Sequence, residues 1–373
     1  MSSSPYQAPA TAPAATSSPP AANAGTGPDE GPIAAVSDSV SRPLGIICAN
    51  SNTRQDPGVE ETDNESQAET NSSLRSSTAS LSESISEYRR LHGRTYTQKT
   101  EYWGPNDEKQ NEGLEINHYW MTLFLNDRLF LAPIGDSPQH VLDVGTGTGI
   151  WAIDFADEFP SAEVIGVDIS PIQPSWVPPN CKFQIDDIEQ EWTFPADFFD
   201  FVHIRNLEGS VSDWPRLYRE ALHSMKPGGY IEVKEFDIEV RSQVQEMDES
   251  HPYKAWAKNI CAACDKLGKT GKQCVDPGIA HNLREAGFVD IVEKKWPIPI
   301  GSWPNDPLLK EVGTGFLEYL DQSLEGFGTF LLKEIMGWEH AEAIVFIAEK
   351  RKALKDANLQ PTIDLHLVYA RKP

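Results

Sequence analysis

No stretch of this 373-residue chain stays apolar for the roughly 18 to 20 residues that a membrane-spanning helix needs, and no charged-then-apolar leader follows Met1. Neither membrane insertion nor secretion is expected. Cysteine is scarce, at 5 residues, too few for a disulfide framework in a chain of this length. A reducing compartment, cytoplasmic or nuclear, follows as the expectation. Positive charge is short as well: 32 Lys and Arg stand against 56 Asp and Glu, a formal net charge of −24. Holding a nucleic-acid backbone takes a concentrated positive field that releases counterions, so direct nucleic-acid binding is not expected. The short basic segment Glu349-Lys350-Arg351-Lys352 reads as a solvated helix end. Aromatic residues are nearly missing from residues 1–86, where Tyr6 stands alone among Ser, Ala, Pro, Thr, Asn and acidic residues. Such a segment cannot bury enough apolar surface to offset its ordering entropy, and it reads as a disordered acidic tail. No fixed-period repeat is present, which excludes a solenoid.

Residues 87–373, by contrast, are rich in Trp, Phe, Tyr, Ile, Leu and Val, enough for one large domain. It divides into an N-terminal cover over 87–133, a core over 138–240 and a helical, sheet-completing part over 250–373. A short helix is predicted over 81–90, then a turn at 93–96 and the aromatic segment Tyr102-Trp103-Gly104-Pro105. A longer helix, capped by Asn106 or Asp107, carries Leu114, His118, Met121, Leu125 and Leu129 at helical spacing until Pro133. From His140 onward short β-rich runs alternate with helical segments, the pattern of βαβ units and a parallel sheet. Strands are placed at 140–145, 163–168, 182–187, 199–206 and 229–236, with helices over 149–160 and 214–225. Helices over 253–267, 277–286, 307–324 and 338–357 follow, with strands over 288–295 and 364–369.

The segment Asp143-Val144-Gly145-Thr146-Gly147-Thr148-Gly149 joins the first of these core strands to a helix. Glycines at such a turn let the backbone approach a ligand closely. A dinucleotide fingerprint would need a third glycine at position 150, where isoleucine stands, so the alternating glycines match an S-adenosylmethionine site instead. Asp168 ends the next strand, where a carboxylate accepts from both hydroxyls of a ribose, and Ile169 follows it. Asp186 and Asp187 end the third, placing an acid for the exocyclic amine of adenine while Ile188 packs on its ring. Each feature alone is compatible with a packing glycine or a capping aspartate. Their order along the carboxyl edge of one sheet favours ligand binding.

Four core segments, VLDVGTGTGIWAID at 141–154, VIGVD at 164–168, IDDIEQEW at 185–192 and FDFVHIRNL at 199–207, resemble the fungal methyltransferases of the LaeA family. GRTY at 93–96, YWGPNDE at 102–108, KPGGYIEVKE at 226–235 and VYARKP at 368–373 extend the likeness over almost everything after residue 86. The resemblance implies a Rossmann-like α/β class I methyltransferase fold: a seven-stranded sheet with helices on both faces, N-terminal covering helices and a helical insertion before the last strand. It implies S-adenosyl-L-methionine as the cofactor. Members of the family act as nuclear regulators of secondary metabolism working with velvet-type proteins, or as tailoring enzymes, so the acceptor is either a small molecule or a protein.

Methyl transfer from a sulfonium is an in-line displacement in which the cofactor brings the electrophile, so few catalytic side chains are obligatory. Alternation along 199–206 puts Phe201, His203 and Arg205 on one face and Val202, Ile204 and Asn206 on the other. His203 or Asn206 is then a candidate to face the acceptor, with Glu235 at the end of the next strand. Asn206 is also a candidate cofactor contact, and Tyr102 with Trp103 can close over the methionine end or line the acceptor pocket. The sequence lacks the Asp/Asn-Pro-Pro-Tyr/Phe signature of amine methylation on adenine or glutamine and the Pro-Cys nucleophile of cytosine-C5 methylation. Cys261, Cys264, Cys274 and His281 fall within about twenty residues of one another, yet the first two lie within a helical pattern, so no metal site is expected.

Overall fold

The computed structural model describes residues 88–98 and 102–373, so the tail predicted over 1–86 lies outside the described residues. The first element is a hairpin rather than the end of a helix. Arg89–Leu91 (β1) pairs antiparallel with Arg94–Tyr96 (β2) across a two-residue turn at His92 and Gly93. That turn imposes hairpin geometry on Arg89 and Arg90, which differ in this from the helix expected over 81–90. Arg94 then reaches forward to Asp107, its Nη2 donating at 2.8 Å. Asp107 also caps the first helix, Glu108–Phe124 (α1), by accepting from the Gln110 amide at 3.1 Å.

α1 stops earlier than its apolar spacing suggests. Asn126 and Asp127 take left-handed backbone with φ of +56° and +58°, which ends the helix before Leu129. Leu129 instead packs on the sheet, and its carbonyl accepts from Trp151 Nε1 at 3.0 Å.

The core strands are His140–Val144 (β3), Glu163–Asp168 (β4), Cys181–Ile185 (β5), Phe199–Arg205 (β6) and Met225–Phe236 (β7), with a two-residue strand, Arg241–Ser242 (β8), beyond them. Val289–Pro299 (β9) and Pro361–Arg371 (β10) complete the sheet. Neighbours run β5-β4-β3-β6-β7-β10-β9, with β8 pairing the start of β10. β10 alone runs against its long neighbours β7 and β9. This is the seven-stranded sheet that the resemblance implies, with β8 as an addition. The central strands are apolar on both faces because both are covered, as parallel sheets require.

Ile150–Glu158 (α2) covers one face, where Trp151 and Phe155 pack with Val141, Val164 and Phe201. Trp214–Ser224 (α3) and Ile279–Ala286 (α5) cover the other, against Leu142, Val202, Ile204 and Val233. A separate apolar core joins α1 to Pro252–Lys266 (α4), Pro307–Thr329 (α6), the π-helical turn Phe330–Ile335 and His340–Leu354 (α7). α6, the π turn and α7 are the helical insertion before the last strand. Chain order reverses between β3 and β6, and at such a switch point a crevice opens outside the carboxyl ends of the strands.

α6 approaches the end of β9 so closely that the Gly301 amide donates to the Gly313 carbonyl at 2.7 Å. A Cβ on Gly313 would collide with the Gly301 carbonyl oxygen. Gly313→Ala is therefore expected to lower the unfolding free energy by about 1–3 kcal/mol through overpacking, read from urea denaturation.

Candidate active site

β3 ends in a loop whose three glycines, Gly145, Gly147 and Gly149, all take left-handed φ, at +70°, +60° and +82°. Any side chain is strained there. Gly145 and Gly149 also lack space, since a Cβ would strike the Leu207 side chain or the Phe183 ring. Gly147 is different. A Cβ there would meet only Leu114, at 3.5 Å, so its bare backbone lies open to the cleft.

Beneath the loop the buried carboxylate of Asp143 accepts from Thr146 Oγ1 at 2.6 Å and from His203 Nδ1 at 2.7 Å. Beside it Asp168 accepts from the Gly147 amide at 2.8 Å on one oxygen and from the Ser170 amide at 2.9 Å on the other. Burial pushes the Asp168 carboxyl up to about 6, against those two N–H bonds, which favour the charged form.

A cleft of about 390 Å³ opens over this loop and takes in Gly145, Thr146, Gly147, Asp168, Ile169, Asp187, Ile188, Asn206 and Tyr102 among the residues named from sequence. Asn206, at the end of β6, holds φ at +58°, and its side-chain oxygen is buried without a hydrogen-bond partner. A second cavity of about 160 Å³ joins the first at Tyr102, Leu114, Gly147, Asp168 and Asn206. Trp103 ties the covering segment to the loop after β6, its Nε1 donating to the Gly209 carbonyl at 2.8 Å.

Several expected site residues sit elsewhere. Asp143 is buried below the loop, and Gly149 backs onto Phe183; neither lines the cleft. Asp186 is exposed and its carboxylate accepts from the Asp187 amide, because adjacent residues at a strand end point to opposite sides. His203 faces α2 and lines neither the cleft nor the second cavity. Its ring stacks on Trp151 at 3.7 Å, and burial holds its pKa well below the usual histidine range, so it is a neutral structural imidazole. Glu235 does border the second cavity, but its two oxygens accept from the Leu207 and Glu208 amides at 2.8 and 3.0 Å. It shapes the backbone after β6. Burial, and then the neighbouring Glu208, push its carboxyl up to about 8.

The basic segment at 349–352 is not simply a solvated helix end: Lys350 is 2% exposed and borders the second cavity. Leu114, Asn117, Arg205 and Lys269 in the cleft, and Trp256 and Tyr319 in the second cavity, were not singled out from the sequence. They arrive from distant elements, and only the helical face of Leu114 carried a local signal. The clustered thiols act as donors within the fold, Cys261 to the Gly271 carbonyl and Cys274 to Glu208. Among the described residues Asp237, Asp364 and His366 gather closely, with Arg241 and Lys295 balancing the two carboxylates.

The donor set suits an adenosyl group carrying a cationic amino acid. Asp168 has lone pairs left for a ribose diol, Ile169 and Ile188 are apolar flanks for a ring, and the open Gly147 backbone leaves room for the rest of such a group. A family model described as "Methyltransferase domain" matches residues 116–271. "Methyltransferase pytC" of Aspergillus terreus is 36% identical over 301 residues, 80% of this chain and 92% of that protein. "Secondary metabolism regulator LAE1" of Cochliobolus heterostrophus is 32% identical over 278 residues, 73% of this chain and 90% of that protein. The chain belongs to the fungal LaeA-like family of class I methyltransferases. Among solved structures, a phosphoethanolamine N-methyltransferase from Haemonchus contortus in complex with S-adenosyl-L-methionine is similar at 17% identity, with a TM-score of 0.43 over 75% of this chain and 62% of that one. As a LaeA-like methyltransferase the protein uses S-adenosyl-L-methionine as its cofactor. Among its described residues no helix is long and apolar enough to cross a membrane.

Three outcomes follow for this LaeA-like site. Asp168→Ala is expected to weaken S-adenosylhomocysteine binding roughly 10- to 100-fold by calorimetry, the worth of hydrogen bonds to a charged group. Protonation removes the acceptor that the ribose needs, so wild-type affinity should hold at neutral pH and fall as pH drops below about 6, with Asp168→Asn abolishing that slope. His203→Phe keeps a ring on Trp151 but leaves Asp143 one donor short; a stability loss of about 1–3 kcal/mol in urea is expected.

Proposed function

We propose that this methyltransferase acts on an apolar small molecule of fungal secondary metabolism, held in the second cavity with its nucleophilic atom at the junction marked by Tyr102 and Asn206. The observation that carries this reading is the character of that cavity. Trp103, Trp256, Ile260, Tyr319, Leu324 and Phe327 line it, a concave aromatic and aliphatic surface of the kind that encloses small organic ligands rather than an extended peptide. The names of the relatives, a methyltransferase and a regulator of secondary metabolism, support the metabolic setting.

S-adenosylmethionine supplies an activated methyl group, so the chain has mainly to position the acceptor. Asp168 fixes the ribose, and the glycine loop fixes the cofactor's remaining length. The unpaired Asn206 side-chain oxygen accepts from the N–H of an amine nucleophile and orients the nitrogen lone pair toward the methyl carbon. As the C–N bond forms the sulfur–methyl bond breaks, S-adenosylhomocysteine is left, and the ammonium product gives its proton to solvent on release. The cover segment, through Tyr102 and Trp103, keeps water from the junction, where a dry environment strengthens such bonds. No role as proton acceptor falls to His203.

The purified chain, incubated with methyl-labelled S-adenosylmethionine and a small-molecule extract of the fungus that carries it, is expected to label one low-mass apolar product. Asn206→Ala should cut that labelling at least roughly tenfold, as loss of one hydrogen bond to the reacting group does. Label appearing in protein instead would overturn the small-molecule reading. Deleting the gene should remove one methylated compound; loss of many unrelated metabolites would instead favour a regulator that acts through protein partners of the velvet type.

A further inference from the structure

Lys350 sits on α7, a helix of the insertion, and its side chain reaches the acceptor cavity from a part not shared with the cofactor cleft. It is the one cation among the described residues lining that cavity. Its Nζ is buried and makes no hydrogen bond. What it has instead are ring faces, Tyr253 at 4.8 Å and Trp256 at 5.9 Å from Nζ to the centroids. An ammonium against two aromatic faces retains only part of the stabilisation it loses on leaving water. Burial accordingly draws its pKa down to about 7.

The carboxylates of the same cavity do not fill the gap. Asp168 is held by the Gly147 and Ser170 amides, and Glu235 by the Leu207 and Glu208 amides. Glu208 accepts from the Gln273 and Cys274 amides and from the Cys274 thiol, while Asp237 pairs with Arg241. Each carboxyl group thus has its partners inside the fold, and the one lysine has no acceptor. A buried donor at the wall of an apolar cavity and left unpaired is destabilising unless a ligand completes it.

We propose that Lys350 is the recognition point for an anionic oxygen on the methyl acceptor, so that the substrate class is an apolar, ring-bearing molecule with a carboxylate or an acidic enol at the end away from the methylated atom. This inference rests on the small-molecule reading above and narrows it. The apolar body lies among Trp256, Ile260, Tyr319, Leu324 and Phe327, and the anionic oxygen accepts from Lys350 Nζ. Recognition by charge at one end sets the reach of the molecule to the junction at Asn206, which makes Lys350 a specificity-determining residue with no part in the methyl transfer itself.

The test uses the full chain saturated with S-adenosylhomocysteine and two fluorescent probes with the same aromatic body. 8-Anilinonaphthalene-1-sulfonate carries an anionic group, and N-phenyl-1-naphthylamine does not. The wild type is expected to prefer the sulfonate roughly tenfold or more, the scale of a charge-assisted bond. Lys350→Met should abolish that preference while leaving binding of the neutral probe and of S-adenosylhomocysteine in place, and Lys350→Arg should retain it. Competition by 1-naphthoate assigns a carboxylate, and competition by 4-hydroxycoumarin assigns an acidic enol. A preference that survives Lys350→Met, or one that is absent from the wild type, overturns the proposal. Because the probe ratio involves no methyl transfer, its failure is separate from failure of the labelling experiment, which bears on the small-molecule reading alone.

Discussion

The buried carboxylate of Asp143 is the contact on which the cofactor half of the molecule depends. It accepts from Thr146 within the glycine loop and from His203 on the neighbouring strand, so one side chain joins the loop to the sheet. The loop consists of residues that hold little shape by themselves, and its three left-handed glycines would otherwise be free to take other conformations. Burial raises the Asp143 carboxyl to about 6, the cost of placing an acid in the interior. The stack of His203 on Trp151 carries the constraint on to α2. Along the same face Glu232 accepts from the amides of Leu131 and Ala132, and Lys234 donates to the Leu129 carbonyl. A polar ladder therefore runs under the aromatic layer and fixes the segment between α1 and β3 as well as the loop.

The carboxyl edge of the sheet carries a second, complementary constraint. Asp168 accepts the Gly147 amide from above while Asp143 holds Thr146 from below, and the loop is fixed between two acids with different fates. Asp143 is spent on the fold. Asp168 keeps lone pairs toward the cleft, and at the switch point between β3 and β6 that is where a ligand can reach them. Asn206 completes the edge in a left-handed conformation, secured by its backbone N–H, which donates to the Lys234 carbonyl, and by the hold of Glu235 on the next two amides. Strain at such a position persists only where the surroundings over-determine it.

Much of this half is legible in the sequence, because its elements are short and locally signalled. Buried strands such as β3 and β6 read as apolar runs of strand length, and the loop glycines follow the first of them directly. The sequence reading errs where the deciding contact is not local. Leu125 and Leu129 continue the spacing of α1, yet left-handed backbone at Asn126 and Asp127 ends it. Alternation correctly puts His203 opposite Asn206, but which face meets the cavity depends on the packing of α2 and the insertion, which no window of sequence contains. The same limit separates Asp186 from Asp187. Lys350 reads as part of a charged run, and only the docking of α7 on α4 turns it inward.

This division of legibility follows a division of labour. The first cleft is built mainly from the turns after β3, β4, β5 and β6, whereas the second cavity is built largely from the cover segment, the end of β7 with the residues after it, α4, α6 and α7. Those outer elements share an apolar core distinct from the two that sandwich the sheet. Substitutions there can reshape the acceptor cavity without disturbing the anchor at Asp143. Within that core Asn106, Gln110 and Lys350 keep buried polar atoms without partners. Such atoms are costly in a folded chain, and a ligand that supplied the missing bonds would be selected over one lacking the matching group, which would leave them buried and unpaired.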